Sequence, residues 1–130
     1  MPFDFTIDAA NGIVISKASG VVTYAEVLGH MDRLRHHPEF RPTFNQFLDL
    51  HEVTDIAISA DEIREIATQT VFAPGSHRAF LATSGLKFGI SRMYETYRRI
   101  HGEDGIRIFT DVKEARSWAS VPEESPKSQT

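Results

Sequence analysis

The stretch that decides the fold is Phe44-Asn-Gln-Phe-Leu-Asp-Leu50. Four of its seven residues are apolar, and the apolar run is more continuous than in the first strand, as expected for a strand that is covered on both faces of a sheet. The acidic segment His51-Glu-Val-Thr-Asp55 follows and is predicted to be a turn, and a helix is predicted to begin at Ser59. In open α/β sheets, binding sites gather just past the carboxyl ends of the strands. We therefore look for a site first around this turn.

Strands and helices alternate on both sides of this central strand. The remaining strands are predicted at 3–8, 13–19, 78–83 and 106–109, and the helices at 23–37, from 59 to just before 74, at 86–101 and after 111. Asn11-Gly12 is a hairpin signal that joins the first two strands. The order ββαβαβαβα predicts an α/β fold, with helices flanking a mixed, mainly parallel sheet of four to five strands.

Two helix starts carry a capping box, in which a hydroxyl and a carboxylate three residues later each bind a free backbone amide. The first is Thr23-Tyr-Ala-Glu26 and the second is Ser59-Ala-Asp-Glu62. Both predict where a helix begins.

Composition limits the class of protein. The 130 residues fit a single domain, predicted at 1–120, and the polar tail 121–130 is predicted to be disordered. The absence of cysteine excludes disulfides, a thiolate nucleophile and cysteine-bound metal. The formal net charge of −4 argues against nucleic acid as a partner. With neither a signal peptide nor a membrane span in the sequence, we expect a cytoplasmic protein.

The order of these elements, with several short motifs, resembles the SpoIIAA-like proteins of the STAS superfamily (sulfate transporter and anti-sigma factor antagonist domains). The motifs are Gly20 before Thr23, His37-Pro-Glu-Phe40, Phe47-Leu-Asp49, Arg78-Ala-Phe-Leu-Ala82, Phe88-Gly89, Arg92-Met-Tyr94, Ile108-Phe-Thr-Asp111, Glu114-Ala115 and Trp118. The resemblance implies the SpoIIAA-like fold and a non-enzymatic bacterial protein that carries or senses a small apolar ligand, with peripheral membrane contact as a further expectation.

The same resemblance implies an alternative, in which the protein acts through a protein partner as an anti-sigma factor antagonist does. Those proteins are switched by phosphorylation of a serine in an Asp-Ser-Ser-Gly turn. The matching stretch here is Ala57-Ile-Ser-Ala60, in which Ile58 occupies the phosphorylated position and only Ser59 remains nearby. Ser59 is therefore the regulatory candidate, and a helix cap is the simpler interpretation.

Four apolar residues are the candidates for binding a ligand: Ile66, Val71, Phe72 and Phe88. They flank the Pro74-Gly75 turn and are expected to line a cleft between the second and third helices. Ordinary core packing is the alternative for each of them. A homodimer is also plausible, since small α/β domains often pair through an edge strand or a helix face.

Polar residues at the carboxyl edge of the sheet are weaker candidates. The candidates at this edge are Asp49, His51 and Ser84, and His51 and Ser84 with Asp111 have the residue types of a hydrolase triad. Helix capping by Ser84 and Asp111 explains them more simply. The acidic residues around His51 match no metal-binding pattern, so we predict neither a metal site nor a cofactor.

Five arginines make the long third helix and its neighbours locally basic: Arg78, Arg92, Arg98, Arg99 and Arg107. A basic amphipathic helix can lie on a membrane surface. We favour a solvated face, on which acidic residues such as Glu95 pair with these arginines.

Overall fold

The computed structural model describes residues 3–122. Within that range the elements are β1 (Phe3–Asp8), β2 (Ile13–Thr23), α1 (Tyr24–Arg35), β3 (Asn45–Ala57), α2 (Ala60–Ile66), β4 (Arg78–Leu81), α3 (Gly85–Ile100), β5 (Ile106–Phe109) and α4 (Val112–Ala119). The predicted order ββαβαβαβα is confirmed. None of the helices in this range is long and apolar enough to cross a membrane.

The five strands form one sheet in the order β1-β2-β3-β4-β5. β1 pairs with β2 in antiparallel fashion and every other pairing is parallel, which confirms a mixed, mainly parallel sheet. One face packs on α4, where Ala115 and Ala119 meet Phe47, Ala79 and Leu81. The alternate side chains of the strands point to the opposite face, which is covered by α1, α2 and α3.

β3 is longer than the sequence predicts. His51–Asp55 is not a turn but a continuation of the strand to Ala57. Val53 is buried in this extension, while Glu52 is exposed and pairs with Lys17 across the strands at 3.1 Å. The acidic side chains can stay in solvent because β4 pairs with β3 only as far as Asp49. Beyond that point β3 pairs with β2 alone.

β2 also continues further than predicted, past Gly20 to Thr23. Gly20 has φ +67° and lies at a register shift between the two strands, so it bends β2 without ending it. Both capping boxes are confirmed. Thr23 Oγ1 accepts a hydrogen bond from the Glu26 amide at 3.2 Å, and Ser59 Oγ accepts one from the Glu62 amide at 3.1 Å.

α3 turns a polar stripe toward the core. The sequence predicts an apolar inner face that includes Leu86 and Ile100, but these side chains are 51% and 73% exposed. The buried residues of α3 are instead Lys87, Ser91 and Arg98, spaced at four and seven residues and therefore on one side of the helix. A stripe of this kind needs polar partners in the protein interior.

The chain end lies mostly outside the described residues. Of the predicted disordered tail 121–130, only Val121 and Pro122 are described. The Val121 amide donates to the Arg116 carbonyl at 2.9 Å, and Arg116 Nη2 donates to the Pro122 carbonyl at 2.9 Å.

Candidate functional site

A mainly apolar cavity of about 110 Å³ lies between the sheet and the three helices α1, α2 and α3. Its wall follows β3 along Gln46, Leu48, Leu50, Val53 and Ile56. Ten residues separate the first and last of these, which corresponds to roughly 30 Å of extended strand. Phe3, Val22 and Phe80 extend the wall sideways onto β1, β2 and β4.

The cavity reaches the surface where some of its lining residues are partly exposed. Four of these, Val27, Ile56, Ile58 and Ile90, come from α1, β3, the β3–α2 connection and α3 and define a mouth near the end of β3. Val71 and Tyr94, which also line the cavity, are partly exposed as well.

Polar side chains are concentrated at the start of the β3 wall, where a chain of hydrogen bonds runs from Arg78 to His30. Arg78 Nε donates to Gln46 Oε1 at 3.1 Å, and Gln46 Nε2 donates to Ser16 Oγ at 3.1 Å. Ser16 Oγ lies 3.0 Å from His30 Nε2. Because a guanidinium can only donate, it fixes the orientation of the Gln46 amide, which in turn donates to Ser16 Oγ.

A buried ion-pair network continues from the same arginine. Glu103 accepts from Arg78 Nη1 at 3.0 Å and from Arg98 Nε at 2.8 Å. Arg98 also donates to the Ala67 carbonyl at the end of α2, at 2.9 Å, and to Thr70 Oγ1 at 3.3 Å. Arg98 and Glu103 are each 2% exposed. Two guanidinium groups therefore share one carboxylate inside the protein.

Burial controls the protonation of this region. Desolvation, with smaller effects of Arg33 and Arg78, lowers the pKa of His30 to about 3, so its imidazole is neutral near pH 7. Burial alone lowers the pKa of Arg78, but Tyr94 and Glu103 outweigh it and raise that pKa above its ordinary value. The polar end of the cavity thus combines a neutral histidine with a permanently charged arginine.

Three of the four predicted ligand-binding residues line the cavity: Ile66, Val71 and Phe72. Phe88 does not. It is half-buried and packs on the core near β4, with Arg92 above its ring. Three residues further along α3, Ser91 does line the cavity, so α3 contributes to the wall through other residues than Phe88. The cavity also extends beyond the predicted cleft, because α1 and the sheet form much of its wall.

The predicted polar edge does not form a catalytic triad. His51 binds Asp49, whose Oδ1 accepts from the His51 amide at 2.9 Å and lies 3.3 Å from His51 Nδ1. Asp111 caps α4 by accepting from the Glu114 amide at 3.2 Å. Ser84 begins α3 without a capping hydrogen bond, so its predicted capping role is wrong. Over residues 3–122, no hydrogen bond joins Ser84, His51 and Asp111.

Ser59 is exposed and serves as the α2 cap. Across the described part of the chain, no three His, Asp or Glu side chains lie close enough together to hold a metal ion.

The solvated basic face is correct for some arginines and wrong for others. Arg92 and Arg99 are exposed and both pair with Glu95. Arg78 and Arg98 are buried and belong to the network described above. The sequence holds one signal of this: Lys87, Ser91, Tyr94 and Arg98 fall at the spacing of a single helix face, as apolar residues of an inner face would.

No protein-family model matches the sequence, and no curated protein matches it. Among solved structures, the chain is similar to an uncharacterised protein of the DUF3478 family with a SpoIIAA-like fold from Shewanella loihica PV-4. The two chains are 14% identical, with a TM-score of 0.58, and the match covers 90% of this chain and 91% of the other. The chain has a SpoIIAA-like fold.

Proposed function

We propose that this protein is a non-enzymatic carrier or sensor that binds a small, mainly apolar ligand in the cavity between the sheet and α1–α3. The observation that carries the proposal is the cavity itself, a mainly apolar space of about 110 Å³ bounded by the sheet and these helices. Three residues chosen from the sequence as ligand contacts, Ile66, Val71 and Phe72, lie on its wall.

An empty cavity of this size is costly, which favours an occupant. Protein interiors contain few voids larger than a water molecule. At about 24 cal/mol per Å³, a cavity of about 110 Å³ reduces the free energy of unfolding by roughly 3 kcal/mol. Apolar walls do not hold water well, and a dry engineered cavity of ~150 Å³ binds benzene. A hydrocarbon ligand would recover the lost contacts.

The extent of the cavity along β3 accommodates a linear hydrocarbon. Its wall runs along β3 from Gln46 to Ile56, and its polar residues lie toward the Gln46 end. An alkyl chain that enters at the mouth would lie along the strand and leave its head group at the polar end or in solvent. Each buried methylene contributes about 0.8 kcal/mol.

Titration of the purified chain with 1-octanol, followed by calorimetry, tests this function. We expect saturable binding at one site. Val27→Trp places a large side chain at the mouth and should weaken binding by about tenfold or more, since about 1.4 kcal/mol of lost contact suffices.

The matched control is Val112→Trp, which makes the same change at a half-exposed position of α4, on the opposite face of the sheet. It should bind 1-octanol as the unmodified chain does. Absence of saturable binding, or equal weakening by both variants, contradicts a ligand-binding role for this cavity.

In the alternative function, this chain would act through a protein partner and be regulated by phosphorylation. That alternative rests on Ser59 alone. Asp61 and Glu62 follow in the first turn of α2, so a phosphate on Ser59 would face two carboxylates. The hydrolase alternative requires His51 to reach Ser84, and His51 is bound to Asp49 instead. We therefore retain ligand binding as the proposed function.

A further inference from the structure

We propose that the ligand is an amphiphilic acid, whose carboxylate pairs with Arg78 at the polar end of the cavity. This inference rests on the proposed function, because it names the chemistry of the ligand in the same cavity. It is carried by three observations on the described residues: an excess of buried positive charge, an unused donor edge on Arg78, and a cavity wall without a carboxylate.

The buried network contains two positively charged arginines and one negatively charged glutamate, so one positive charge has no negative partner. Arg78 is 7% exposed and Arg98 is 2% exposed, while Glu103 is the carboxylate that both arginines share. His30 is neutral and adds no further positive charge. A buried charge without a partner is expensive, and an anionic ligand would supply the missing one.

Arg78 has a free edge where such a group could bind. Its Nε donates to Gln46, and its Nη1 donates to Glu103 and Tyr94. Within residues 3–122, no hydrogen bond uses its Nη2, which carries two N–H donors. By contrast, every nitrogen of the Arg98 guanidinium has a partner. Of the three network residues, only Arg78 lines the cavity.

The surroundings hold Arg78 in a fixed orientation. Its Cζ atom lies 4.4 Å from the centre of the Phe72 ring and 5.5 Å from that of Phe80. Aromatic rings lie against the guanidinium, and its Nε and Nη1 already donate hydrogen bonds. Nη2 is therefore the nitrogen that remains available to a ligand. The side chain is therefore pre-organised for a ligand and would lose little conformational freedom on binding.

The other polar groups of the wall favour an acceptor. The Tyr94 hydroxyl accepts from Arg78 at 3.4 Å, which leaves its own hydrogen to donate. Among the described lining residues there is no Asp or Glu. A carboxylate only accepts hydrogen bonds and has about four lone-pair sites, so it matches these donors, whereas an ammonium group does not.

Three ligands with the same chain and different head groups test the inference: octanoate, 1-octanol and octylammonium, each titrated into the purified chain near pH 7. Octanoate should bind about tenfold or more tightly than 1-octanol. The reason is that a hydrogen bond between two charged groups is stronger than one to a neutral hydroxyl, and the difference corresponds to about tenfold or more in the binding constant. Octylammonium should bind most weakly.

Arg78→Met should abolish the preference, so that octanoate binds no more tightly than 1-octanol. Arg107→Met removes the same charge from an exposed arginine on the other face of the sheet and should leave the preference unchanged. If Arg78→Met does not fold, the comparison of head groups on the unmodified chain still decides.

Binding of 1-octanol as tightly as octanoate would overturn the inference while leaving the proposed function intact. A preference for octanoate that survives in Arg78→Met would also overturn it, because another group would then hold the acid. If none of the three ligands binds, the proposed function fails and this inference fails with it.

Discussion

The buried carboxylate of Glu103 should be the polar group on which folding depends most strongly. Glu103→Gln keeps the shape of the side chain but removes the charge that two buried arginines share. Its Oε1 now accepts from Arg98 at 2.8 Å and from Arg78 at 3.1 Å, and its Oε2 accepts from Arg78 at 3.0 Å. In the variant an amide NH₂ would face guanidinium donors, which is repulsive.

The magnitude follows from burial. Removing one partner of a buried ion pair costs about 3–5 kcal/mol, because the charge that remains is neither solvated nor paired. Glu103 leaves two such charges behind, so we expect the upper part of this range. For a domain of this size the loss corresponds to a decrease in Tm of roughly 10–20 °C.

Urea unfolding followed by circular dichroism, near pH 7, measures this loss. The matched control is Asp104→Asn, which makes the same chemical change at the neighbouring, exposed residue. We expect the control to change the free energy of unfolding by no more than about 0.5 kcal/mol. A loss below about 1 kcal/mol for Glu103→Gln would refute the description of this network as buried and charged.

Three further predictions concern stability. Folded His30 stays neutral down to a pH of about 3, whereas an unperturbed histidine has a pKa of 6.5, so unfolding binds a proton between these values. The free energy of unfolding should therefore fall as the pH is lowered through this window, by up to about 1.4 kcal/mol per pH unit. His30→Gln should reduce that slope, and an unchanged slope in urea titrations would contradict the burial of a neutral imidazole. Gly105→Ala should cost about 2–3 kcal/mol, because its Cβ would lie 2.0 Å from the Ser76 carbonyl oxygen; a neutral effect in the same assay would show that this close approach does not exist. Asp111→Ala should cost about 1 kcal/mol through loss of the α4 cap, whereas Ser84→Ala should have almost no effect; equal losses in thermal unfolding would count against this assignment.

Local signals explain which parts of the fold can be predicted from the sequence. The capping boxes at Thr23 and Ser59 and the cap at Asp111 act within one helical turn, so they can be identified without knowledge of the tertiary structure. The predicted strands Phe3–Asp8 and Ile106–Phe109 are confirmed for the same reason, since each shows its own regular pattern.

The extension of β3 escapes prediction because it depends on a neighbour. His51–Asp55 contains charged residues that are common in turns, and only pairing with β2 holds it in a strand. Val53 and Ile56 give the extension an inner side, but two register shifts interrupt the regular alternation. A search for strict alternation therefore cannot find it.

The polar end of the cavity escapes prediction for a different reason. Arginine is rarely buried, so a solvated face is the natural expectation for Arg78 and Arg98. Their burial depends on Glu103, which lies in the turn before β5 and shows no pattern in the sequence that links it to either arginine. Ile66, Val71 and Phe72 can be predicted because they are apolar residues at the end of α2 and in its connection to β4, and all three line the cavity.

A crystal structure of the chain soaked with 8-bromo-1-octanol tests most directly whether the cavity binds an alkyl chain, because the anomalous scattering of bromine locates one end of that chain. We expect a single strong bromine peak inside the cavity, on the β3 wall between Leu48 and Ile56 or at the mouth beside Val27 and Ile90. A fully occupied bromine site elsewhere on the molecule, with the cavity empty, would contradict the assignment of this cavity as the binding site.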